Sequence, residues 1–122
     1  MEIVFYTKTD GTKPAKEFLD SLDKKMRVKM SSVISVLEKY GIKVREPYSK
    51  NIGDGIFELR AKVGHDISRV LYFFFIGNKA VLTNGFIKKT VKTPPNVIML
   101  AQKYRSDYIE KERLKNGRIH VS

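Results

Sequence analysis

Apolar residues change their spacing part-way along the chain. Between residues 14 and 40 they recur every three or four positions, as in helices that pack on one side. Residues 56–63, 67–76 and 80–87 are instead dense apolar runs, rich in β-branched and aromatic side chains and separated by Gly, Asn or Asp. Connections this short exclude parallel neighbours, so the runs predict three antiparallel strands joined by tight hairpins.

The first third of the chain predicts one short strand and two helices. Residues 2–6 are apolar enough for a strand but too few to stand alone, so this strand should pair with the three-strand meander. One helix is expected to begin near Pro14, and a second to end at Tyr40, where Gly41 suits a left-handed C-terminal cap. The two helices should form an antiparallel hairpin over one face of the sheet.

The remaining segments complete a single domain. Residues 43–54 have no hydrophobic period and contain Pro, Asn and Gly, which predicts a loop. Thr93 is a candidate cap for a C-terminal helix over residues 95–115, with Pro94 in its first turn. The order is therefore β-α-α-β-β-β-α, an α+β fold with one small antiparallel sheet. At this length, residues 1–122 are expected to be one domain.

Composition argues against several kinds of site. The chain has no Cys and only two His, so a disulfide framework and a thiolate or His-rich metal site are not expected. Carboxylates are too sparse for two-metal hydrolysis, and we predict no metal and no other cofactor. No apolar run is long enough to span a membrane, and the first residues lack the basic region of a signal peptide. We therefore expect a cytoplasmic protein without membrane contact.

The positive charge is concentrated in one part of the chain. The formal net charge is +11, and residues 43–93 contain ten Lys or Arg against four Asp or Glu. More than half of the excess therefore lies on the predicted meander and the loop that precedes it. This asymmetry favours a polyanionic partner, either nucleic acid or an acidic protein, over a uniformly basic surface.

Four cations near the predicted strand ends are candidate catalytic residues. Arg60 lies on the polar face of the first run, Arg69 is the one charge in the most apolar run, and Lys88 and Lys89 follow the third. Arginine binds phosphate through its planar fork, and RNA supplies its own nucleophile, the 2′-hydroxyl. These residues could therefore cleave RNA without a metal, with a desolvated lysine beside another cation as the base.

Structural roles compete with these functional ones. Arg60 could pair with Glu58 or Asp66, and a charge in a strand as apolar as that of Arg69 needs either a carboxylate partner or a ligand. Tyr72 is more often a core residue, and strict alternation places it on the opposite face from Arg69. Three further residues are nevertheless expected to contact RNA: Lys62, Tyr72 and Lys92.

Three sequence motifs carry a family resemblance. Residues 57–60 read FELR, residues 68–73 read SRVLYF, and residues 85–94 read GFIKKTVKTP. In this order and spacing they resemble the phage-derived HigB-like branch of the RelE/ParE toxin superfamily, and the resemblance extends over nearly the whole chain. It implies the RelE-like fold and toxic cleavage of mRNA on the translating ribosome, with a 2′,3′-cyclic phosphate as product.

The resemblance also implies residue roles. Arg69 takes the place of one active-site arginine of RelE, and Lys89 takes the place of a second. The chain departs from RelE at Glu58, where RelE has a catalytic lysine, and it has no clear match for the C-terminal tyrosine of RelE. Arg60 or Lys88 is left as the substitute for the missing base.

The resemblance implies partners as well. A HigA-like helix-turn-helix antitoxin would neutralise the protein and link it to operator DNA, while mRNA on the ribosome would be the substrate. Two alternatives remain open from the sequence. The ParE branch shares the fold and poisons DNA gyrase, and a non-catalytic RNA-binding protein would show the same basic charge.

Overall fold

The computed structural model describes residues 1–87 and 92–121, with side chains as far as residue 116. A sheet lies between an N-terminal pair of helices and a long C-terminal helix. The elements in chain order are β1 (Glu2–Phe5), α1 (Pro14–Ser21), α2 (Lys24–Tyr40), a 3-10 turn (Gly41–Lys43), β2 (Ser49–Gly53), β3 (Ile56–Val63), β4 (Asp66–Phe75), β5 (Lys79–Ile87) and α3 (Pro95–Val121).

The sheet has the strand order β1-β5-β4-β3-β2. The meander β3-β4-β5 is antiparallel and agrees with the predicted runs to within one residue at each end. The α+β class and the pairing of the first strand with the meander are also confirmed. The prediction of a purely antiparallel sheet was wrong, because β1 runs parallel to β5, with Glu2 opposite Lys79 and Phe5 opposite Leu82.

The predicted loop over residues 43–54 was also wrong in its second half. Residues Ser49–Gly53 form β2, which pairs antiparallel with β3 at the edge of the sheet. A turn with positive φ at Asp54 and Gly55 joins the two strands. Only Ser49 of β2 is buried, so the strand has no hydrophobic alternation that could reveal it in the sequence.

Each face of the sheet packs against helices. The face toward α1 and α2 contributes Leu59, Val70 and Leu82, which pack with Met30 and Leu37. The opposite face contributes Ile56, Leu71, Phe73 and Val81 and packs against α3, where Ala101 is fully buried. The helical hairpin therefore covers one face as predicted, and α3 covers the other.

Asp23 and Gly41 lie at the two ends of α2. The Asp23 carboxylate accepts a hydrogen bond from the backbone N–H of Met26 at 2.9 Å. Gly41 ends the helix with φ of 57°. The first backbone bonds of α3 run from the N–H groups of Val97 and Ile98 to the carbonyl of Pro94.

The C-terminal helix is longer than predicted and is held by a cluster of polar and aromatic side chains. The Tyr6 hydroxyl donates to the Asp107 carboxylate at 2.5 Å, and Lys111 pairs with the same carboxylate at 2.9 Å. The rings of Tyr6 and Tyr104 stack with centroids 4.6 Å apart. Within the described residues, no helix is long and apolar enough to cross a membrane.

Candidate functional site

A buried carboxylate lies at the centre of the candidate site. Strand alternation places Glu58, Arg60 and Lys62 of β3 on the face that α3 covers. Glu58 is completely buried, whereas Arg60 is partly exposed and Lys62 is exposed. A buried ionised carboxylate is costly unless cations and hydrogen-bond donors surround it. The surroundings of Glu58 therefore define the site.

Among the residues that the structure describes, Glu58 has three polar partners. Its Oε1 accepts a hydrogen bond from Nε of Arg60 at 2.7 Å, and the same oxygen lies 3.7 Å from a terminal nitrogen of Arg69. Its Oε2 accepts a hydrogen bond from the hydroxyl of Thr93. Strand β3 is thereby linked to the segment that leads into α3. Thr93 was predicted to cap α3 with Pro94 at its first position, but the helix begins at Pro95, and its first N–H groups bond to the carbonyl of Pro94.

The strand register explains why a carboxylate is needed here. Arg60 lies directly opposite Arg69 on the neighbouring strand. Like charges in this position repel each other and destabilise a sheet unless an anion lies between them. Arg69 is 1% exposed and its guanidinium lies over the ring of Phe86, with 5.7 Å to the ring centroid. The carboxylate partner that its apolar strand required is Glu58.

Arg60 differs from Arg69 in its access to solvent. The side chain of Arg60 is 24% exposed, against 2% for Arg69. Its Nε is bonded to Glu58, and within the described part of the chain its two terminal nitrogens have no hydrogen-bond partner. Those two nitrogens form the fork that binds a phosphate through two parallel hydrogen bonds.

A cleft of about 370 Å³ opens beside Arg60. Strand β2 forms one wall, and the residues before and within the first turns of α3 form the other. The lining contains three cations, the hydroxyl of Thr93 and one aliphatic side chain from α3. The lining residues are Lys50, Asn51, Ile52, Gly53, Arg60, Lys92, Thr93 and Ile98. An anion the size of a phosphodiester would be surrounded there by positive charge.

A second cleft, of about 680 Å³, also includes Arg60 in its lining. It lies between α2 and the β3 end of the sheet and contains Tyr48, which is 43% exposed. Two further cations line it, Lys29 and Lys62. Arg60 therefore lies between two basic clefts, the second of which also contains an exposed aromatic ring.

The structure brings some predicted site residues together and separates others. Arg60 and Arg69 meet through Glu58, and Arg60 and Lys92 line the same cleft. Lys62 lines only the second cleft of the two. The predictions for Lys88 and Lys89 fall outside the described residues.

Tyr72 does not occupy the position expected of an RNA-binding residue. It is 1% exposed and lies in the core under α1 and α2, on the face opposite Arg69. Its hydroxyl is hydrogen-bonded to Ser49 at 2.6 Å and its ring stacks on Phe57. Burial raises the pKa of this tyrosine, and the hydrogen bond to Ser49 partly opposes that shift. We therefore correct its role to that of a core residue.

Three residues of the site were absent from the predicted set. Glu58 was noted in the sequence as a departure from RelE and Thr93 as a helix cap, and Lys50 lies within the predicted loop over residues 43–54. The E-x-R spacing was a usable sequence signal for Glu58, since residues two apart on a strand share a face.

Within the described residues, no group of three His, Cys, Asp or Glu side chains could hold a metal ion.

Comparison with models of protein families identifies the family to which the chain belongs. Residues 17–106 match the model of the family described as phage derived protein Gp49-like (DUF891). The chain belongs to this Gp49-like family. The matched part of the Gp49-like chain includes most of α1, all of α2, the meander and all lining residues of the cleft beside Arg60. Gp49-like proteins are associated with RelE and other toxin-like proteins, which agrees with the observed fold. No curated protein matches the chain.

Proposed function

We propose that this Gp49-like protein is the toxin of a type II toxin–antitoxin system, in the HigB-like branch of the RelE superfamily, and that it cleaves mRNA on the translating ribosome. The observation that carries the proposal is the cleft that is lined by the three cations Lys50, Arg60 and Lys92. Family membership supports the toxin assignment, and the density of cations in the cleft supports RNA as the target.

The proposed reaction uses the nucleophile of the RNA itself. The ribose 2′-oxygen attacks the adjacent phosphorus, the bond from phosphorus to the 5′-oxygen breaks, and a 2′,3′-cyclic phosphate is formed. The proton of the 2′-hydroxyl is lost and the leaving 5′-oxygen gains one. Negative charge grows on the equatorial phosphate oxygens, where a guanidinium fork and two ammonium groups would stabilise it. This assigns Arg60 to the phosphate, with Lys50 and Lys92 beside it.

The side chains of the cleft favour a mechanism that needs no metal ion. Its described lining contains no carboxylate and no imidazole, which are the protein ligands that catalytic metal ions need. Cations therefore take the role of charge stabilisation that a metal has in other nucleases. A HigA-like helix-turn-helix antitoxin is the proposed partner, through which the toxin would reach operator DNA, and the site of action is the cytoplasm.

Primer extension on cellular mRNA after induced expression tests the proposed activity. We expect discrete cuts within coding regions for the wild type. The variant Arg60→Ala should cut on the order of 10² times more slowly, because one transition-state contact is lost. The matched control is Lys25→Ala, which removes the same charge from an exposed position on α2. Growth arrest with intact mRNA, or trapped DNA in a gyrase supercoiling assay, would contradict the ribonuclease assignment.

A further inference from the structure

The two arginines of the site occupy environments too different for a shared role. Arg69 is buried and lies opposite Arg60 in the sheet, while the cleft lining includes Arg60 and not Arg69. Both guanidinium groups approach the same carboxylate oxygen, Oε1 of Glu58. The carboxylate can therefore transmit the position of one arginine to the other.

We propose that Glu58 is a positioning residue that fixes the Arg60 fork toward the substrate phosphate, and that Arg69 acts through Glu58 instead of touching RNA. This inference rests on the proposed ribonuclease function. The bond to Nε fixes the plane of the Arg60 guanidinium and leaves its two terminal nitrogens for the phosphate. Arg69 holds the carboxylate from the inner side, and Thr93 holds its second oxygen.

The same carboxylate also links Arg60 to one wall of the cleft. Arg60 comes from β3, and Thr93 precedes α3 in the wall opposite β2. Glu58 binds both, so the position of that wall relative to Arg60 and the arginine orientation depend on one side chain. A small displacement of a group that contacts the substrate can strongly reduce the catalytic rate. The two hydrogen bonds of Glu58 should therefore affect the rate of cleavage.

The negative charge of Glu58 leads to opposite expected effects on RNA affinity and on cleavage rate, which a purely structural residue would not show. Glu58 offsets one of the two arginine charges, so its neutral analogue should attract RNA more strongly while holding Arg60 less firmly. For Glu58→Gln we expect severalfold tighter binding of a 2′-O-methyl RNA oligonucleotide, which cannot be cleaved. We also expect at least a tenfold lower kcat on mRNA-programmed ribosomes, without a rise in KM. A purely structural role would lower affinity and rate together with the folded fraction.

If Glu58→Gln does not fold, the paired variant Glu58→Leu with Arg69→Met tests the proposal in its place. It removes one charge of each sign from the buried site, and such paired apolar replacements usually preserve folding. We expect wild-type salt dependence of RNA binding, because Arg60 still meets the phosphate, together with loss of cleavage. By contrast, Arg60→Ala should reduce the slope of log affinity against log salt by about 0.7, the value for one phosphate contact with a single strand.

Three results would overturn the proposal. The first is wild-type kcat in folded Glu58→Gln, and the second is wild-type cleavage by the paired variant. The third is a salt slope of the paired variant that falls as far as that of Arg60→Ala, since Arg69 would then touch phosphate itself. If the wild type cleaves no mRNA, the ribonuclease function fails, while the slope comparison still decides between direct and indirect roles of the two arginines.

Discussion

The hydrogen bond between Ser49 and Tyr72 joins the edge strand β2 to the core under α2. Both side chains are buried, and the oxygens are 2.6 Å apart. Removing either hydroxyl leaves the other in the core without its partner, so Ser49→Ala and Tyr72→Phe should each lower the free energy of unfolding by about 1–3 kcal/mol. Urea denaturation of the single variants measures these losses.

The double variant Ser49→Ala with Tyr72→Phe is the control for this pair. Since no buried hydroxyl is then left alone, its loss of stability should be smaller than the sum of the single losses. Folded Tyr72→Phe should bind RNA with wild-type affinity, because its ring is sealed beneath the helices. Weaker RNA binding by this variant would restore Tyr72 to the interface.

The positions of some site residues could be predicted from the sequence. Alternation along β3 places Arg60 and Lys62 on one face and Tyr72 of β4 on the face opposite Arg69, and the structure agrees. The burial of Glu58 could not be predicted from the sequence, because it depends on α3 covering that face of the sheet. A local pattern cannot report coverage by a helix from residues 95–121.

Among the elements, α3 depends on the contact of Tyr6 with Asp107. Burial, reinforced by the hydrogen bond to Asp107, raises the pKa of Tyr6 above its ordinary value of 10.0. The unfolded chain then loses the tyrosine proton at lower pH than the folded protein does. The contribution of Tyr6 to stability is therefore complete below about pH 10 and declines as the pH rises further.

The variant Tyr6→Phe isolates this effect. The wild type should lose more thermal stability between pH 9 and about pH 11 than Tyr6→Phe does, because the variant has no proton to lose at this position. Melting temperatures over this range provide the measurement. The control is Tyr40→Phe, in which the replaced tyrosine is exposed at the end of α2 and should leave the wild-type pH dependence in place. Parallel curves for the wild type and Tyr6→Phe would contradict the assignment.

The packing of α1 on β5 depends on a glycine. A Cβ atom at Gly85 would lie 2.3 Å from Cδ2 of Phe18, so the ring occupies the space that any other side chain would need. We expect Gly85→Ala to lower the free energy of unfolding by about 1–3 kcal/mol through overpacking.

A smaller residue at position 18 tests the cause of that loss. Adding Phe18→Leu to Gly85→Ala should recover part of the stability, although Phe18→Leu alone is destabilising. The four proteins form a double-mutant cycle, measured by urea denaturation. Additive effects of the two substitutions would show that the ring and the new methyl group do not compete.

Elements with a strong hydrophobic period were predictable, and those defined by pairing were not. The meander and both N-terminal helices follow from their apolar spacing. Strand β2 carries no such spacing and exists because β3 offers hydrogen-bonding groups along its edge. The parallel direction of β1 is set by contacts across the whole chain, which a short run of apolar residues cannot encode.

At the scale of the whole molecule, the net charge of +11 should make RNA binding sensitive to salt. Three phosphate contacts, one for each cation of the cleft, give a slope of about −2 for a single strand. Raising the salt from about 50 to 200 mM should then weaken binding by about 20-fold. Fluorescence anisotropy with a 2′-O-methyl RNA oligonucleotide measures the slope, and a slope near zero would contradict phosphate recognition.

The pairing of β1 with β5 has a consequence for synthesis of the protein. Translation delivers the N-terminus first, yet the partner of Glu2–Phe5 is the segment from Lys79 to Leu82. A nascent chain that stops earlier holds an apolar segment with nothing to pair against, and it also lacks the residues before α3 that close the cleft. Prematurely terminated copies should therefore be harmless to the cell that makes them and prone to proteolysis.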